Sequence, residues 1–450
     1  MNDVESCYDV VSFLKKINSY EHMAFILSDR EIKYKTLCSN AKKLANWIDK
    51  NVSQKYININ ASSAYHFSVV YLATLLCGKV AVLGALNDSF PDCFVLNLDR
   101  LEEIFEIEDE LNSIEVDQFT VSTLVQSSGT TSYKKYVMLS QKNIFSDTIS
   151  GMRNYEYSVK SRYVNIIPCT HLFGLVADLL GPLYSGGTIC VLDNKYEFFG
   201  SLSKYNPSAL NLPPIMIEQI LNLLEKNSNN PEVVIGRKLK KIMCAGAPIS
   251  RSVVKKMIKY GVQVYTAYGL TECSPCVSLS EDNCYREGSV GKVLDCCEVK
   301  IEDGEILVRG ANVMIGYYNA PKDTKEVLID GWLHTGDLGY MDSDGYLFIT
   351  GRKNTLLIFG NGYKVNPEEI EALINCVEGV IESEVFLLHD ELKDKPSVRV
   401  HISNDVDKKF ISEKVREIFN SFTEVNVEHI LFTEMEFEKT ELGKIKRSKL

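Results

Sequence analysis

Apolar and polar residues along the chain alternate between the periods of a helix and of a strand. Residues 35–49 space their apolar side chains three and four apart, which predicts an amphipathic helix that buries Leu37, Ala41, Leu44, Ala45 and Ile48. Residues 121–126 lead into a cluster of Ser, Thr and Gly, which predicts a strand ending in a polar loop. Short apolar runs at Ile189–Leu192 and Ile242–Cys244, separated by helix-like segments, predict further strands of an α/β sheet.

Between residues 298 and 350 the pattern changes to that of hairpins. Asp303-Gly304 lies between two alternating segments, which is a strong signal for a two-residue turn, and Asp344-Gly345 predicts a second hairpin. After residue 352 the order is strand, helix, strand, strand, helix, strand. The first of these helices is predicted to begin with Asn366 as N-cap, Pro367 at the first position and Glu369 at the third.

These changes of pattern predict two domains. We expect a large domain over residues 1–351, built from several sheets with a small β-barrel portion, and a small mobile α+β domain over residues 352–450. The fold class is therefore α/β.

Composition excludes several classes of protein. The 450 residues are 45% hydrophobic and 24% charged, as in globular proteins, and the net charge of -11 disfavours nucleic acid or an anionic membrane as partner. The apolar stretches Ser68–Gly78 and His171–Tyr184 do not predict membrane spans, because one is short and the other carries Asp178, Gly181 and Pro182. The 13 cysteines, with no secretion signal before them, predict reduced thiols in the cytoplasm.

The loop that follows strand 121–126 has the composition of a phosphate-binding loop. It runs Ser127-Ser-Gly-Thr-Thr-Ser-Tyr-Lys-Lys135. Small residues let backbone N–H groups converge on an anion, hydroxyls add donors and a lysine neutralises charge. The loop is not a Walker A motif, and without further motifs such a loop is more often a solvated turn.

Further motifs follow in a fixed order. They are Ala245-Gly-Ala-Pro248, Tyr268-Gly-Leu-Thr-Glu272, VRGANVMIGYYNAP (308–321), Gly331-Trp-Leu-His-Thr-Gly-Asp337, Gly351-Arg-Lys-Asn354 and Gly443-Lys-Ile-Lys-Arg447. With the Ser/Thr/Gly loop, this series resembles the adenylate-forming superfamily, which contains acyl- and aryl-CoA synthetases, peptide-synthetase adenylation domains and luciferases. The resemblance extends from about residue 20 to the end of the chain.

The resemblance implies a nucleotide site for ATP. The β- and γ-phosphates would be held by the loop residues Ser127, Ser128, Gly129, Thr130, Thr131 and Lys135. The adenine would stack on Tyr268, beside Gly269, and the base and acid would be lined by Ala245, Gly246 and Ala247. Thr271 would donate to the α-phosphate, and Glu272 would bind Mg²⁺, whose charge offsets that of the leaving pyrophosphate.

The same resemblance implies roles for later residues. Asp337 would accept both ribose hydroxyls, supplemented by Arg352, and Lys444 would stabilise the growing charge at the substrate carboxylate and α-phosphate. The small domain would then rotate about Asn354 and bring Gly362 to the active site, where its lack of a side chain leaves room for a pantetheine arm.

The predicted function is ATP-dependent activation of a carboxylic acid to acyl-AMP, followed by thioester formation. The acceptor thiol is coenzyme A or the phosphopantetheine arm of a carrier protein. His171 occupies the position of the carboxylate-pocket histidine, or is a packed core histidine. Because no Asp stands where amino-acid-activating members hold an ammonium, and Asp178 comes late for that role, an acyl or aryl acid is favoured.

Departures from the family pattern leave alternatives open. Ser132 and Tyr136 replace glycines of the phosphate loop and Lys134 replaces a proline, which predicts a stiffer loop or weaker ATP binding. A degenerate nucleotide-binding scaffold is therefore a competing hypothesis. A group of five cysteines could also be interpreted as a zinc site, although their spacing does not complete a set of zinc ligands. They are Cys273, Cys276, Cys284, Cys296 and Cys297.

Overall fold

The computed structural model of the chain describes residues 8–61, 63–84, 92–96, 100–108, 111, 115–127, 135–155, 158–280, 286–353, 356–358, 364–389, 394–403, 406–422 and 426–438. The chain divides into two compact units. Unit 1 comprises Met1–Val299 and Val308–Leu333, and unit 2 comprises Lys300–Leu307 and His334–Leu450. The predicted domain boundary at residue 351 stays a prediction. Within the described part of the chain, no helix has the length and hydrophobicity needed to cross a membrane.

The strands are numbered in chain order. They are β1 (Met23–Ile26), β2 (Glu31–Lys33), β3 (Tyr56–Ile59), β4 (Val80–Leu83), β5 (Cys93–Val95), β6 (Val121–Gln126), β7 (Tyr136–Ser140), β8 (Arg162–Asn165), β9 (Thr188–Val191), β10 (Ala209–Leu212), β11 (Lys241–Cys244), β12 (Gln263–Gly269), β13 (Cys276–Leu279), β14 (Lys292–Val293), β15 (Cys297–Glu302), β16 (Glu305–Gly310), β17 (Gly316–Tyr317), β18 (Leu328–Ile329), β19 (Trp332–Met341), β20 (Leu347–Arg352), β21 (Leu357–Ile358), β22 (Lys364–Val365), β23 (Val380–His389), β24 (Asp394–Ile402) and β25 (His429–Thr433).

The α-helices are numbered in the same way. They are α1 (Val10–Ile17), α2 (Tyr34–Asn51), α3 (Ala64–Leu76), α4 (Leu101–Phe105), α5 (Gln141–Tyr155), α6 (Gly181–Tyr184), α7 (Phe198–Tyr205), α8 (Pro214–Lys226), α9 (Glu232–Ile235), α10 (Arg251–Lys259), α11 (Pro321–Val327), α12 (Pro367–Ile374) and α13 (Lys408–Phe422). A π-helix, Gly174–Leu180, runs directly into α6.

Three sheets of unit 1 position the candidate site. Their strand orders are β2-β1-β9-β8, β17-β7-β6-β4-β3-β5 and β10-β11-β12-β13-β14. Strands β10, β11 and β12 are parallel, with Leu212 beside Cys244 and Cys244 beside Thr266. Their carboxyl ends therefore meet at one edge, which is where α/β sheets place their ligands.

In unit 2, a sheet of order β23-β24-β25 packs with α12 and α13 around an apolar core that includes Ile370, Val398 and Phe419. The predicted order of strands and helices after residue 352 is confirmed, with the short ribbon β21–β22 added before α12. The Asn366 side chain accepts a hydrogen bond from the Glu368 N–H, which confirms it as the N-cap.

Elements predicted from local patterns have their expected form. Helix α2 buries Leu37, Ala41, Leu44, Ala45 and Ile48, as the spacing predicts. Asp303 and Gly304 both have positive φ, +50° and +79°, between β15 and β16. That conformation is the one a two-residue hairpin turn of the Asp-Gly type requires.

Candidate active site

The predicted phosphate loop is closed by the hairpin formed by β6 and β7. The Ser127 N–H donates to the Lys135 carbonyl at 2.8 Å, and the Gln126 amide donates to the Tyr136 hydroxyl at 2.8 Å. Tyr136 stands where the family pattern has a second glycine. It lies in β7 with its ring packed in the core, so it occupies an ordinary strand position. The predicted site residues Ser128, Gly129, Thr130 and Thr131, with the departures Ser132 and Lys134, lie outside the described residues.

The next predicted residues follow the carboxyl ends of β11 and β12. Ala245, Gly246 and Ala247 come directly after β11, and Gly246 has a φ of +93°, which a glycine adopts without strain. Tyr268 and Gly269 end β12. A Cβ on Gly269 would lie 1.8 Å from the Pro275 carbonyl oxygen, so no larger residue fits there.

Glu272 stands in a short 3₁₀ turn, Thr271–Cys273, immediately after β12. Its backbone carbonyl accepts from the Met314 N–H at 2.9 Å. Its Oε1 accepts from the Tyr317 hydroxyl at 2.9 Å, whereas Oε2 accepts no hydrogen bond from the described part of the chain. The turn therefore presents a carboxylate oxygen that is held in place by its neighbour and available to a ligand.

This arrangement fits Mg²⁺. Carboxylate oxygen is a hard ligand, and Mg²⁺ in nucleotide sites is commonly bound by one or two carboxylates together with phosphates and water. Among the described residues, no group of three or more His, Cys, Asp or Glu could hold a metal ion. Glu272 would thus be a single protein ligand, with the phosphates completing the coordination.

A buried carboxyl links two segments that follow Glu272 in the chain. Asp147, on α5, accepts from the Cys276 N–H at 3.2 Å and from the Asn312 amide at 3.3 Å. Burial raises the pKa of Asp147 well above its usual value. No sequence motif identifies Asp147. It is an acidic residue within α5, and most of the other residues of that helix are buried.

His171 precedes the π-helix on the loop that follows β8. Its N–H donates to the Pro168 carbonyl at 3.0 Å, and its carbonyl accepts from the Leu175 N–H at 2.8 Å. A Cβ on Gly174 would lie 2.2 Å from the Pro168 carbonyl oxygen, so the loop and the π-helix meet too closely for a side chain there. The π-helix therefore fixes the backbone at His171.

Asp178, on that π-helix, is fully buried and accepts hydrogen bonds from neutral donors only. Its Oδ2 lies 2.9 Å from the Asn165 amide, 3.0 Å from the Ile166 N–H and 3.3 Å from the Ile167 N–H, and Oδ1 lies 3.2 Å from the Asn211 amide. Burial raises its pKa to about 6 despite these donors. The carboxylate is thus engaged within the protein, in keeping with the expectation that it does not hold a substrate ammonium.

The remaining described site residues belong to unit 2. Asp337 and Arg352 face each other across β19 and β20, and the Arg352 Nε donates to the Asp337 Oδ1 at 2.6 Å. Asp337 is 4% exposed. Glu305 nearby lies 3.1 Å from the Lys353 ammonium and accepts from the Gly336 N–H. Asn354, Gly362 and Lys444 lie outside the described residues.

The cysteines in the described ranges are free thiols. Cys273, Cys276 and Cys296 lie near Asp147, and burial raises the pKa of the Cys273 and Cys276 thiols. Among the described residues, these cysteines form no group of three or more ligands that could hold a metal ion. The described cysteines therefore give no support to the zinc interpretation, and Cys284 lies outside the described residues.

Comparison with known proteins connects the site to a family. The family model described as AMP-binding enzyme matches residues 92–318. The 2-succinylbenzoate--CoA ligase of Bacillus pumilus (strain SAFR-032) is 30% identical over 319 residues, covering 68% of this chain and 61% of that protein, so the match spans less than two thirds of its length. The protein of the same name from Bacillus subtilis (strain 168) is 28% identical over 413 residues, covering 82% of this chain and 83% of that protein.

Solved structures share the fold over nearly the whole chain. ATP-bound MatB from Rhodopseudomonas palustris matches with a TM-score of 0.83 at 21% identity, covering 98% of this chain and 97% of that chain. O-succinylbenzoate Coenzyme A Synthetase (MenE) from Bacillus subtilis, in complex with AMP, matches with a TM-score of 0.80 at 22% identity, covering 99% and 98%. The α/β fold class predicted from the sequence is confirmed.

Proposed function

Because the chain belongs to the family of AMP-binding enzymes, we propose that it is an ATP-dependent acid–thiol ligase. A substrate carboxylate oxygen attacks the α-phosphorus of ATP, the bond to pyrophosphate breaks, and acyl-AMP forms. The sulfur of coenzyme A then attacks the acyl carbonyl carbon, and AMP leaves. The observation that carries the proposal is the Glu272 carboxylate, held by Tyr317 at the carboxyl edge of β10–β12 with one oxygen available.

In this proposal, unit 1 supplies the phosphate and base contacts. Ser127 and Lys135 close the loop that would hold the β- and γ-phosphates, and Tyr268 would stack on the adenine. Thr271 would donate to the α-phosphate and Glu272 would hold Mg²⁺. The ion, when bound, supplies positive charge that offsets the charge of the leaving pyrophosphate.

The ribose contact and the cation for the chemical step are proposed for Asp337 and Lys444. The Asp337 carboxylate would accept the ribose hydroxyls, oriented by its bond to Arg352. Lys444 would stabilise charge that develops at the α-phosphate, which is electrostatic catalysis without a covalent bond to the protein. Gly362 would leave space for the pantetheine arm.

The proposed substrate is an acyl or aryl acid without an α-amino group. One observation supports this class: Asp178 is engaged by four neutral donors of the protein. His171 would contact the acid, as the resemblance implies. Coenzyme A is the proposed acceptor because the relatives named above are CoA ligases. A carrier-protein arm is the alternative. The free thiols support a reducing cytoplasm as the location.

The first test is pyrophosphate release from ATP and Mg²⁺ over a panel of fatty, aryl and amino acids, each with hydroxylamine or coenzyme A as acceptor. The proposal predicts release with one acyl or aryl class that coenzyme A accelerates. Release with hydroxylamine that coenzyme A does not accelerate would indicate a carrier protein. A protein that binds ATP but releases no pyrophosphate with any acid would favour the scaffold hypothesis.

Lys444 has a matched control two residues away. Lys444→Ala is expected to lower the adenylation rate at least about 100-fold, because a removed charge-stabilising group costs that much in comparable sites. Lys446→Ala removes the same charge from the same segment and is expected to change the rate less than about threefold. Intact adenylation in Lys444→Ala would show that the catalytic lysine is assigned wrongly.

A further inference from the structure

Lys135, the described lysine at the end of the phosphate loop, is held by two residues that the family motifs leave without a role. Its Nζ lies 2.8 Å from the Asp323 Oδ2 and 5.0 Å from the centre of the Tyr317 ring. The ammonium is therefore paired with a carboxylate and packed on an aromatic face, an arrangement that fixes its direction. Both charged side chains are about one third exposed, 38% for Lys135 and 35% for Asp323, so a ligand can reach them.

Tyr317 joins this lysine to Glu272. Its ring faces Lys135, and its hydroxyl donates to the Glu272 Oε1 at 2.9 Å. The ring is fixed by pairing of β17 with β7, which places Tyr317 beside Val137, and by the bond from its N–H to the Thr324 hydroxyl at 2.9 Å. Burial raises the pKa of the Tyr317 hydroxyl, so it remains a donor throughout the physiological range.

We propose that Tyr317 and Asp323 are positioning residues of the nucleotide site: Tyr317 orients Glu272 for Mg²⁺, and Asp323 holds Lys135 in competition with the phosphates of ATP. The inference rests on the proposed function for the identity of the ligand. A triphosphate carries more negative charge than one carboxylate, so it displaces Asp323 from Lys135 when it binds. Asp323 thus competes with ATP for Lys135 and lowers the affinity of the loop for ATP.

The two residues are expected to affect different quantities. Asp323→Asn removes the competing charge and should tighten ATP binding about two- to fivefold, with or without Mg²⁺, as expected for a partly exposed ion pair. Tyr317→Phe keeps the ring under Lys135 and removes the donor to Glu272. It should raise the Mg²⁺ concentration at half-saturation about tenfold, as for other residues that orient metal ligands, and leave Mg²⁺-free ATP binding unchanged.

The experiment measures ATP binding by titration calorimetry on the full chain, without acid or coenzyme A, over a range of Mg²⁺ concentrations. Matched controls are Asp330→Asn, an exposed aspartate, and Tyr196→Phe, an 84% exposed tyrosine; both should bind ATP as the unaltered protein does. Thermal unfolding checks that each variant is folded, and Tyr317→Leu, whose side chain has no hydrogen-bond donor, serves if Tyr317→Phe does not fold.

The outcomes separate this inference from the proposed function. Weaker ATP binding in Asp323→Asn, or an unchanged Mg²⁺ dependence in Tyr317→Phe, would overturn the role given to that residue. If the variants shift binding as expected but no acid yields pyrophosphate, the inference stands and the ligase proposal fails. If the unaltered protein binds no ATP at millimolar concentration with Mg²⁺, both fail.

Discussion

Three carboxylates of unit 1 and two on the strands of unit 2 have different kinds of partner. In unit 1, Glu272, Asp147 and Asp178 accept from a tyrosine hydroxyl, backbone N–H groups and asparagine amides, all of them neutral. In unit 2, Asp337 is bonded to Arg352, and Glu305 is paired with Lys353. The contrast concerns these five carboxylates, since Asp323 of unit 1 is itself paired with a cation, Lys135.

The difference shows what each carboxylate can bind. A neutral donor orients a carboxylate and leaves its full charge, which suits Glu272 for a cation. A guanidinium neutralises most of the charge and leaves acceptor lone pairs, which suits Asp337 for neutral hydroxyl groups. The pKa directions agree: burial raises the pKa of Asp178, while Lys353 and the Gly336 N–H, acting against burial, lower the pKa of Glu305.

The largest expected effect comes from removing the uncompensated charge at Glu272. Glu272→Gln keeps the shape and the bond to Tyr317 but removes the charge that would bind Mg²⁺, so adenylation should fall at least about 100-fold. Pyrophosphate exchange measures the rate. Glu302→Gln, on the exposed end of β15, is the control with an unchanged rate. Full activity of Glu272→Gln would show that no charge is needed there.

A smaller effect is expected where the carboxylate is already neutralised. Asp337→Asn loses the charged acceptor for the ribose and leaves Arg352 without its partner, so the KM for ATP should rise about 10- to 100-fold. The value of kcat at saturating ATP should change less. Initial rates over a range of ATP concentrations measure both, with Asp330→Asn as control. An unchanged KM would remove Asp337 from the ribose site.

The pH dependence of stability tests whether the pKa of Asp178, whose hydrogen-bond partners are neutral, is raised in the folded protein. Its pKa is about 6 in the folded protein against 3.8 unfolded. The folded state therefore holds the extra proton between about pH 4 and 6, and the contribution of Asp178 to the free energy of unfolding falls by about 3 kcal/mol as pH rises through that window.

Asp178→Asn is expected to flatten this slope, although the variant also loses acceptors and is less stable throughout. Urea unfolding from pH 4.5 to 7.5 measures the free energy of unfolding. Asp330→Asn, at an exposed aspartate, is the control and should leave the slope unchanged. An identical slope in the unaltered protein and in Asp178→Asn would exclude Asp178 as the titrating group.

The smallest effect is expected for an exposed cation of unit 2. The Lys353 side chain is 62% exposed, so Lys353→Gln should lower the free energy of unfolding at pH 7 by no more than about 0.5 kcal/mol. Because the folded pKa of Glu305 is lowered, this contribution is present above the unfolded value of 4.5 and disappears as pH falls through the folded pKa. Urea unfolding at pH 7 and pH 3 measures it, with Lys409→Gln on α13 as control. A loss of several kcal/mol would contradict the assignment.

Several secondary-structure elements could be predicted because their signals are local. The spacing over residues 35–49, the turn at Asp303-Gly304 and the cap at Asn366 each depend on residues a few positions apart. The bonding of Asp178 could not be predicted, because its donors come from the separate segments 165–167 and 211.

The sequence by itself determined the order of the motifs, and with it the family and the residue types available for nucleotide chemistry. Only the tertiary structure decided which neighbours those residues have. Lys135 and Glu272 are far along the chain from Tyr317 and Asp323, and they become neighbours through the pairing of β17 with β7 and the bond from Tyr317 to Glu272. Such contacts follow no periodicity of the sequence, since they depend on which strands share a sheet and in which register.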